Sequence, residues 1–378
     1  MSVLSLKNID TRVYTKERNF HERKKTVGSG RQKVTRKDVA KEAGVSETIV
    51  SYVLNKNRYV KEEKRQRVLE AVEKLQYQPN NIARALHGKG SRQILFIAEE
   101  LSSGYFSELV SQMSRDVYKQ GYMISLCESR EEEEFVSQIL CRQFDGLFVS
   151  TSGVTDRELK LLVKSGIPMV LFLNREIEVE LHNAVLVDTG LYEGSRECVK
   201  YLAKNGCRKF VYLDKIGKPC DRDIHLKGFL DQIKESGIVF EPEQRISGCE
   251  DIKELEERLQ LMLEKNPSVD AIVARYDDLA AVALSVARRI GKKVPDDLVV
   301  TGFDNDFISD YVSPALTTVE IQKEEVAKSA MEALLALIQN EKPDKNINFT
   351  ARLIIRESTR NNVTVQYPHS YKMTNRTC

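Results

Sequence analysis

From residue 92 onward, short apolar runs alternate with helical stretches, and no other feature of this chain restricts its fold as strongly. The runs are "QILFIAE" (93–99), "YMISLCES" (122–129), "GLFVST" (146–151), "PMVLFLN" (168–174), "FVYLD" (210–214), "AIVAR" (271–275) and "LVVTGFD" (298–304). Each is short and apolar with little alternation, as expected of a strand buried on both faces. Between them, 106–120, 133–143, 155–164, 191–205, 222–236, 252–265 and 278–290 carry helical periodicity. Such a βα repeat predicts an α/β body of doubly wound parallel sheets covered on both sides. Its length suits two lobes, roughly 92–189 and 190–318, with the chain crossing back before a last strand in "ARLIIRES" (351–358). Ligands in such folds sit at the carboxyl ends of strands, here in the cleft between lobes.

The head of the chain has another rhythm. In "KDVAKEAGVSETIVSYVLN" (37–55) a helix over Thr35–Ala43 is broken at Gly44. Ser46 can cap a second helix, whose buried stripe is Val50, Val53 and Leu54. Glu47, Thr48, Ser51 and Tyr52 then share the opposite, polar face. A third helix from about Glu62 to Leu75 turns Val68, Ala71, Val72 and Leu75 inward. This is helix-turn-helix geometry, although such turns also occur in purely structural bundles. Further on, "YQPNNIARALHGKGS" (77–91) predicts a two-turn helix capped by Asn81, too short to be stable without a partner.

Charge separates the two regions. The net charge of +2 conceals roughly +12 on residues 1–95 and roughly −10 on the remainder. A basic segment with packed helical periodicity points to an anionic partner at one end, and nucleic acid fits. No apolar run approaches the ~18 residues of a membrane span. The N-terminus lacks the apolar core and cleavage site of a signal peptide, so no membrane association is expected. The seven cysteines are scattered singly, suggesting neither disulfides nor a zinc site, and a reducing cytoplasm is the natural setting. No cofactor or metal is expected, and no nucleotide loop, nucleophile elbow or H-E-x-x-H helix supports an enzyme. A transport binding protein would share the cleft but not the basic head.

Residues 34–91 resemble the head and hinge of the lactose repressor/galactose repressor (LacI/GalR) family of bacterial transcription factors. The matching run is Asp38-Val39-Ala40, Ala43-Gly44-Val45-Ser46, Val50-Ser51, Val53-Leu54-Asn55, Val60, Arg65, Val68, Tyr77, Pro79-Asn80, Ala83-Arg84 and Leu86. The resemblance implies a homodimer on a palindromic operator in double-stranded DNA, with each recognition helix in a major groove. Paired hinge helices would enter the minor groove, where Leu86 would wedge into the central base step. The implied DNA-binding residues are Ser46, Glu47, Thr48, Ser51, Tyr52, Asn55, Asn81, Ala83, Arg84 and Leu86. Glu47 and Thr48 match the base-reading pair, Glu47 being equally suited to complementing the helix N-terminus. Tyr52 stands where relatives usually have arginine, Ile49 replaces a hydroxyl residue and Lys61 a serine cap, so the operator sequence does not transfer.

The resemblance continues to about residue 360 through "SSGYFSELV", "FDGLFVSTS", "GIPMVLFLNR", "DDLAAVAL", "VPDDLVVTGFDN", "SPALTTV" and "RESTR". It implies a periplasmic-binding-protein-like body holding a small-molecule effector between its lobes. The implied effector residues are Tyr105 and Phe106 as an apolar wall, then Arg175, His225, Asp277 and Asp304. Each also has a structural reading: core packing for the aromatics, an inter-lobe salt bridge for Arg175, a helix cap for Asp277 or Asp278, and a structural imidazole for His225. Histidine at 225 in place of arginine, a carboxylate at 277 and the pair Glu99-Glu100 make the cleft more acidic. A neutral sugar is therefore expected over an anionic ligand. Repression relieved by effector ranks above an effector-activated or corepressor-dependent factor. The apolar faces of helices 106–120 and 133–143 would form part of the dimer surface. The expected organisation is a basic extension over 1–33 (a disordered arm or a start set too far upstream), a head over 34–79, a hinge over 80–91, the body over 92–360 and a loose tail over 361–378.

Overall fold

The structure, a computed structural model, describes residues 34–55, 58–78, 90–130 and 134–359, with Asn55 by its backbone only. The chain divides into two compact units at Asn80. The hinge residues Asn81, Ala83, Arg84 and Leu86, the extension 1–33 and the tail 361–378 lie outside the described residues.

The first unit is a three-helix head: α1 (Arg36–Ala43), α2 (Glu47–Asn55) and α3 (Glu62–Lys74). Thr35 opens α1 through a capping box: its hydroxyl accepts from the Asp38 amide, and Asp38 accepts from the Thr35 amide at 2.8 Å. Gly44 ends α1 at φ +62°, a conformation that favours glycine because a Cβ would crowd the following carbonyl. Ser46 Oγ accepts from the Ile49 amide at 3.4 Å, the expected cap at the long end of its range. Lys61, in place of a hydroxyl cap, makes no side-chain cap bond to α3. Val39, Ala43, Val50, Val53, Val68, Ala71 and Tyr77 close a small core, with Leu54, Val72 and Leu75 packed at its edge.

The second unit contains both lobes. In lobe 1 a six-stranded parallel sheet runs in the order β11-β5-β4-β3-β1-β2. Its strands are β1 (Gln93–Ala98), β2 (Met123–Glu128), β3 (Gly146–Ser150), β4 (Met169–Phe172), β5 (Ala184–Asp188) and, after the chain returns, β11 (Asn346–Asn348). Helices α4 (Gly104–Lys119), α5 (Phe135–Leu140), α6 (Asp156–Lys164) and α12 (Lys323–Ile338) belong to this lobe. Lobe 2 has the parallel order β7-β6-β8-β9, from β6 (Phe210–Leu213), β7 (Arg245–Ile246), β8 (Ala271–Ala274) and β9 (Val299–Thr301). Its helices are α7 (Leu191–Lys204), α8 (Ile224–Glu235), α9 (Ile252–Lys265), α10 (Asp277–Arg289) and the short α11 (Ile308–Tyr311).

The expected βα alternation is present, and β1, β3, β4, β6 and β8 are buried almost throughout. One expectation needs adjustment. The last strand, β12 (Arg352–Ile354), joins neither sheet but pairs antiparallel with β10 (Thr318–Glu320) as a ribbon at the crossover. Crossover segments pass so closely that a Cβ on Gly190 (φ +85°) would lie 2.5 Å from the Ala351 nitrogen. Only glycine fits there, which fixes where the chain leaves lobe 1 for lobe 2.

Candidate functional site

In the head, the candidate face is the outer side of α2. Ser46, Glu47 and Thr48 are exposed, whereas Ser51 and Tyr52 are half-buried. The Tyr52 ring rests against the edge of the head core and carries the Arg58 guanidinium 5.2 Å from its centroid. Asn55 closes the helix, its side chain lying outside the described residues. The presentation of this face depends on Arg67. Its Nε donates to Ala43 O at 3.0 Å, and its Nη2 donates to Ala43 O at 2.6 Å and Gly44 O at 2.8 Å. Carbonyls left open at the end of α1 are thus held by a cation from α3, which fixes the turn into α2. The sequence reading missed Arg67, because nothing local marks which of four cations between 61 and 67 points back across 24 residues.

In the body, the carboxyl ends of β1, β3, β4, β6, β8 and β9 converge between the lobes, and polar groups link them there. Glu99 after β1 pairs with Lys215 after β6, and its Oε1 accepts from Ser152 Oγ at 2.7 Å. Glu99 Oε2 faces Arg275 Nη2 at 3.6 Å, and Arg275 Nη1 lies 2.5 Å from Asp223 Oδ1. Burial pushes the Glu99 carboxyl up, but Arg275 and Lys215 outweigh it and hold the group below its usual range. Arg275 stays charged: burial opposes its charge, and Asp223 and Glu99 outweigh that.

A second bridge lies beside α4. Asp306 accepts from the Tyr105 amide at 3.2 Å and from Lys323 Nζ at 3.0 Å, and Lys323 also reaches Glu108 at 2.8 Å. The third crossing is along the rim. Asp156 takes Arg175 at 2.7 Å and Arg222 at 2.9 Å, Glu176 pairs with Lys227, and two backbone bonds span the lobes (Glu176 N to Arg222 O at 2.9 Å, Ile224 N to Asn174 O at 3.1 Å).

The expected effector residues distribute unevenly over these bridges. Tyr105, Asp277 and Asp304 meet around Asp306. Asp277 is fully buried, accepting from Thr318 Oγ1 at 2.6 Å and the Asp306 amide at 2.7 Å, and burial pushes its carboxyl up to about 8. Tyr276 stands at the N-cap of α10 and makes no side-chain cap bond, while Asp277 and Asp278 both lie in the first turn. Asp304 is buried at φ +95° and Asn305 follows at φ +47°, two non-glycine residues in the left-handed region at a strand's carboxyl end. Such strain persists only where surroundings impose it. Burial, then Asp306 and Asp277, drive the Asp304 carboxyl well above its ordinary value.

His225 is buried, its ring 4.4 Å from that of Phe303 and its Nδ1 2.8 Å from the Tyr212 hydroxyl. Burial and Arg275 keep the imidazole far below its ordinary pKa, so it is neutral. Phe106 packs edge-on to Phe96 inside the lobe 1 core. Arg175 donates to Val154 O, Asp156 and Glu176 O, and borders a small apolar recess with Val149, Val154, Leu159, Leu171, Phe172 and Ile177. Missed by the sequence reading were Lys215, Asp223, Arg275, Asp306 and Lys323. Lys215 and Arg275 had a usable signal, a cation just past the carboxyl end of an apolar strand.

Among the described residues, no group of acidic, histidine or cysteine side chains could hold a metal ion, and no helix is long and apolar enough to cross a membrane. Residues 35–80 match the profile described as "Bacterial regulatory proteins, lacI family", and residues 199–359 that of a "Periplasmic binding protein-like domain". The chain is 31% identical over 322 residues to the HTH-type transcriptional repressor PurR of Aliivibrio salmonicida, covering 83% of this chain and 95% of that protein. It is 30% identical to a ribose operon repressor of Halalkalibacterium halodurans, covering 86% and 97%. The fold is shared with the lac repressor dimer bound to operator and the anti-inducer ONPF, with a TM-score of 0.71, 23% identity and coverage of 86% and 99%. With the head, the two-lobed cleft and these likenesses in hand, the chain belongs to the lacI family of bacterial regulatory proteins, DNA-binding transcription regulators and not enzymes.

Proposed function

We propose that this protein is a cytoplasmic repressor that holds a palindromic operator as a homodimer and releases it when a neutral sugar enters the inter-lobe cleft. The carrying observation is the polar face of α2: Ser46, Glu47 and Thr48 stand exposed on a helix fixed from behind by Arg67 and the head core. Glu47 and Thr48 would contact base edges, Tyr52 a thymine methyl or a backbone atom, and Ser46, Ser51 and Asn55 phosphates. Asn81, Ala83, Arg84 and Leu86 would form the minor-groove segment, with Leu86 as the wedge. The apolar faces of α4 and α5 turn into lobe 1 through Leu109, Met113, Phe135 and Ile139, contrary to the expectation that they form the dimer surface. The dimer reading draws instead on the edge strand β2, which exposes Met123 and Leu126, and on the exposed Tyr118 of α4.

A sugar is favoured because the cleft carries more carboxylates than cations around Asp304, and because one relative is a ribose operon repressor. Its action would be linkage: sugar and operator prefer different arrangements of the dimer, so binding of one weakens the other. A mobility-shift titration tests this, using DNA upstream of the protein's own gene, two salt concentrations and added sugars. Specific binding that a sugar relieves supports the reading. Equal grip on all fragments at raised salt contradicts it, and sugar-strengthened binding reverses its sign.

A further inference from the structure

Several cations of the head are committed to its fold: Arg65 faces Glu62 at 3.7 Å, Arg67 holds the turn before α2, and Lys74 pairs with Glu42 at 2.6 Å. Arg58, between α2 and α3, is used differently. It is exposed, and among the described residues its guanidinium makes no hydrogen bond or ion pair. What it meets is the Tyr52 ring, whose centroid lies 5.2 Å from the guanidinium carbon. Tyr52 is half-buried against the edge of the head core, so its ring is a fixed platform. One helical turn past Thr48, it shares the side of α2 on which Thr48 stands exposed. From Ser46 to Asn55 that helix and its cap carry one acid, Glu47, and no base. The ring therefore brings to this face the cation it otherwise lacks. Attraction to a ring face takes up none of a guanidinium's N–H donors as hydrogen bonds. It also restricts a long side chain before any partner arrives, which lowers the entropy lost on binding.

We infer that Arg58 is a specificity-determining residue of the DNA face, reading the O6/N7 edge of a guanine, and that Tyr52 is the positioning residue that aims it. This inference rests on the DNA-binding reading above. Two parallel N–H groups match O6 and N7 together, and no other base edge in a major groove offers that pair of acceptors. An arginine on the same loop without the ring would be free to settle on a nearby phosphate, which carries no sequence information. Held on Tyr52, it stays beside the residues that face the bases. Tyr52 thus has a second task besides its own contact with DNA.

The test begins with the full-length protein selecting its operator from a randomised duplex pool. Competition titrations then compare that operator with its single-base-pair variants. Arg58 is exposed, so Arg58→Met should keep the fold while removing the charge. It should lose a wild-type preference for G·C at one position of each half-site, with affinity for the selected operator down roughly 10- to 100-fold. Tyr52→Leu keeps an apolar side chain on the core edge and removes the ring. It should relax the same position, whereas a merely structural Tyr52 would weaken all duplexes alike. Thermal unfolding of both variants separates relaxed reading from a damaged head. Uniform weakening by Arg58→Met on every duplex, with a shallower salt dependence, would make Arg58 a phosphate contact and overturn the inference. Unchanged preference at every position would overturn it as well. Relaxation by Arg58→Met but not by Tyr52→Leu would overturn the positioning role alone. If the wild type selects no sequence at all, the DNA-binding reading falls, and this inference falls with it.

Discussion

The head and the cleft place their working residues in opposite environments. On α2 the candidate residues face outward, with small apolar side chains and one arginine fixing them from behind. In the cleft the candidates are buried, and several of their partners already bind one another across the lobes. The head can therefore change its DNA preference at little cost to its fold. On the function proposed above, some cleft residues would be ligand contacts and lobe fasteners at once, so few changes there would leave stability and response independent.

Arg275→Met should give the largest effect, because it leaves Asp223 and part of the Glu99 charge buried without a counter-ion. A loss of about 3–5 kcal/mol in the unfolding free energy of the body is expected, read by urea titration of tyrosine fluorescence. A loss below about 1 kcal/mol would show that the bridge resembles a surface pair and erase the contrast with the head. Acid probes the same contact. Glu99 has a folded-state pKa below the ordinary 4.5, so its stabilisation is complete above that value and disappears as pH falls beneath it. Wild-type body stability should drop more steeply below about pH 4.5 than that of Glu99→Gln.

On the head side, Arg67→Met removes three hydrogen bonds to the turn and should lower head stability by about 2 kcal/mol, measured by thermal unfolding of the head transition. Glu47→Ala should be smallest in stability, within about 0.5 kcal/mol of wild type. It should nevertheless change base preference at one operator position by about 1–3 kcal/mol in competition binding. A large stability loss with unchanged preference would mean that Glu47 serves the helix N-terminus alone.

Legibility in the sequence follows the same division. The α2 face could be read because an amphipathic helix sets its inner and outer residues by local spacing: Val50 and Val53 go in, Glu47 and Thr48 out. The strands β1, β3 and β8 could be read because they are uniformly apolar. By contrast, β7 has two residues and β11 is the polar "NIN" at a sheet edge, so neither carries a pattern. Helix α12 escaped despite helical composition, because it follows the second crossover, where a βα count no longer applies. The cleft bridges were hardest. Glu99 meets Lys215 across 116 residues and Tyr105 meets Asp306 across 201, and only the assembled lobes create those neighbours.

Charge pairs between the lobes, and not the rim alone, hold the cleft together. Hydrogen exchange at the Glu176 and Ile224 amides reads this directly, since both donate to the opposite lobe. In Glu99→Gln these two amides should exchange at least about tenfold faster than in wild type while those of β6 are unchanged. Equal rates in both proteins would contradict the account.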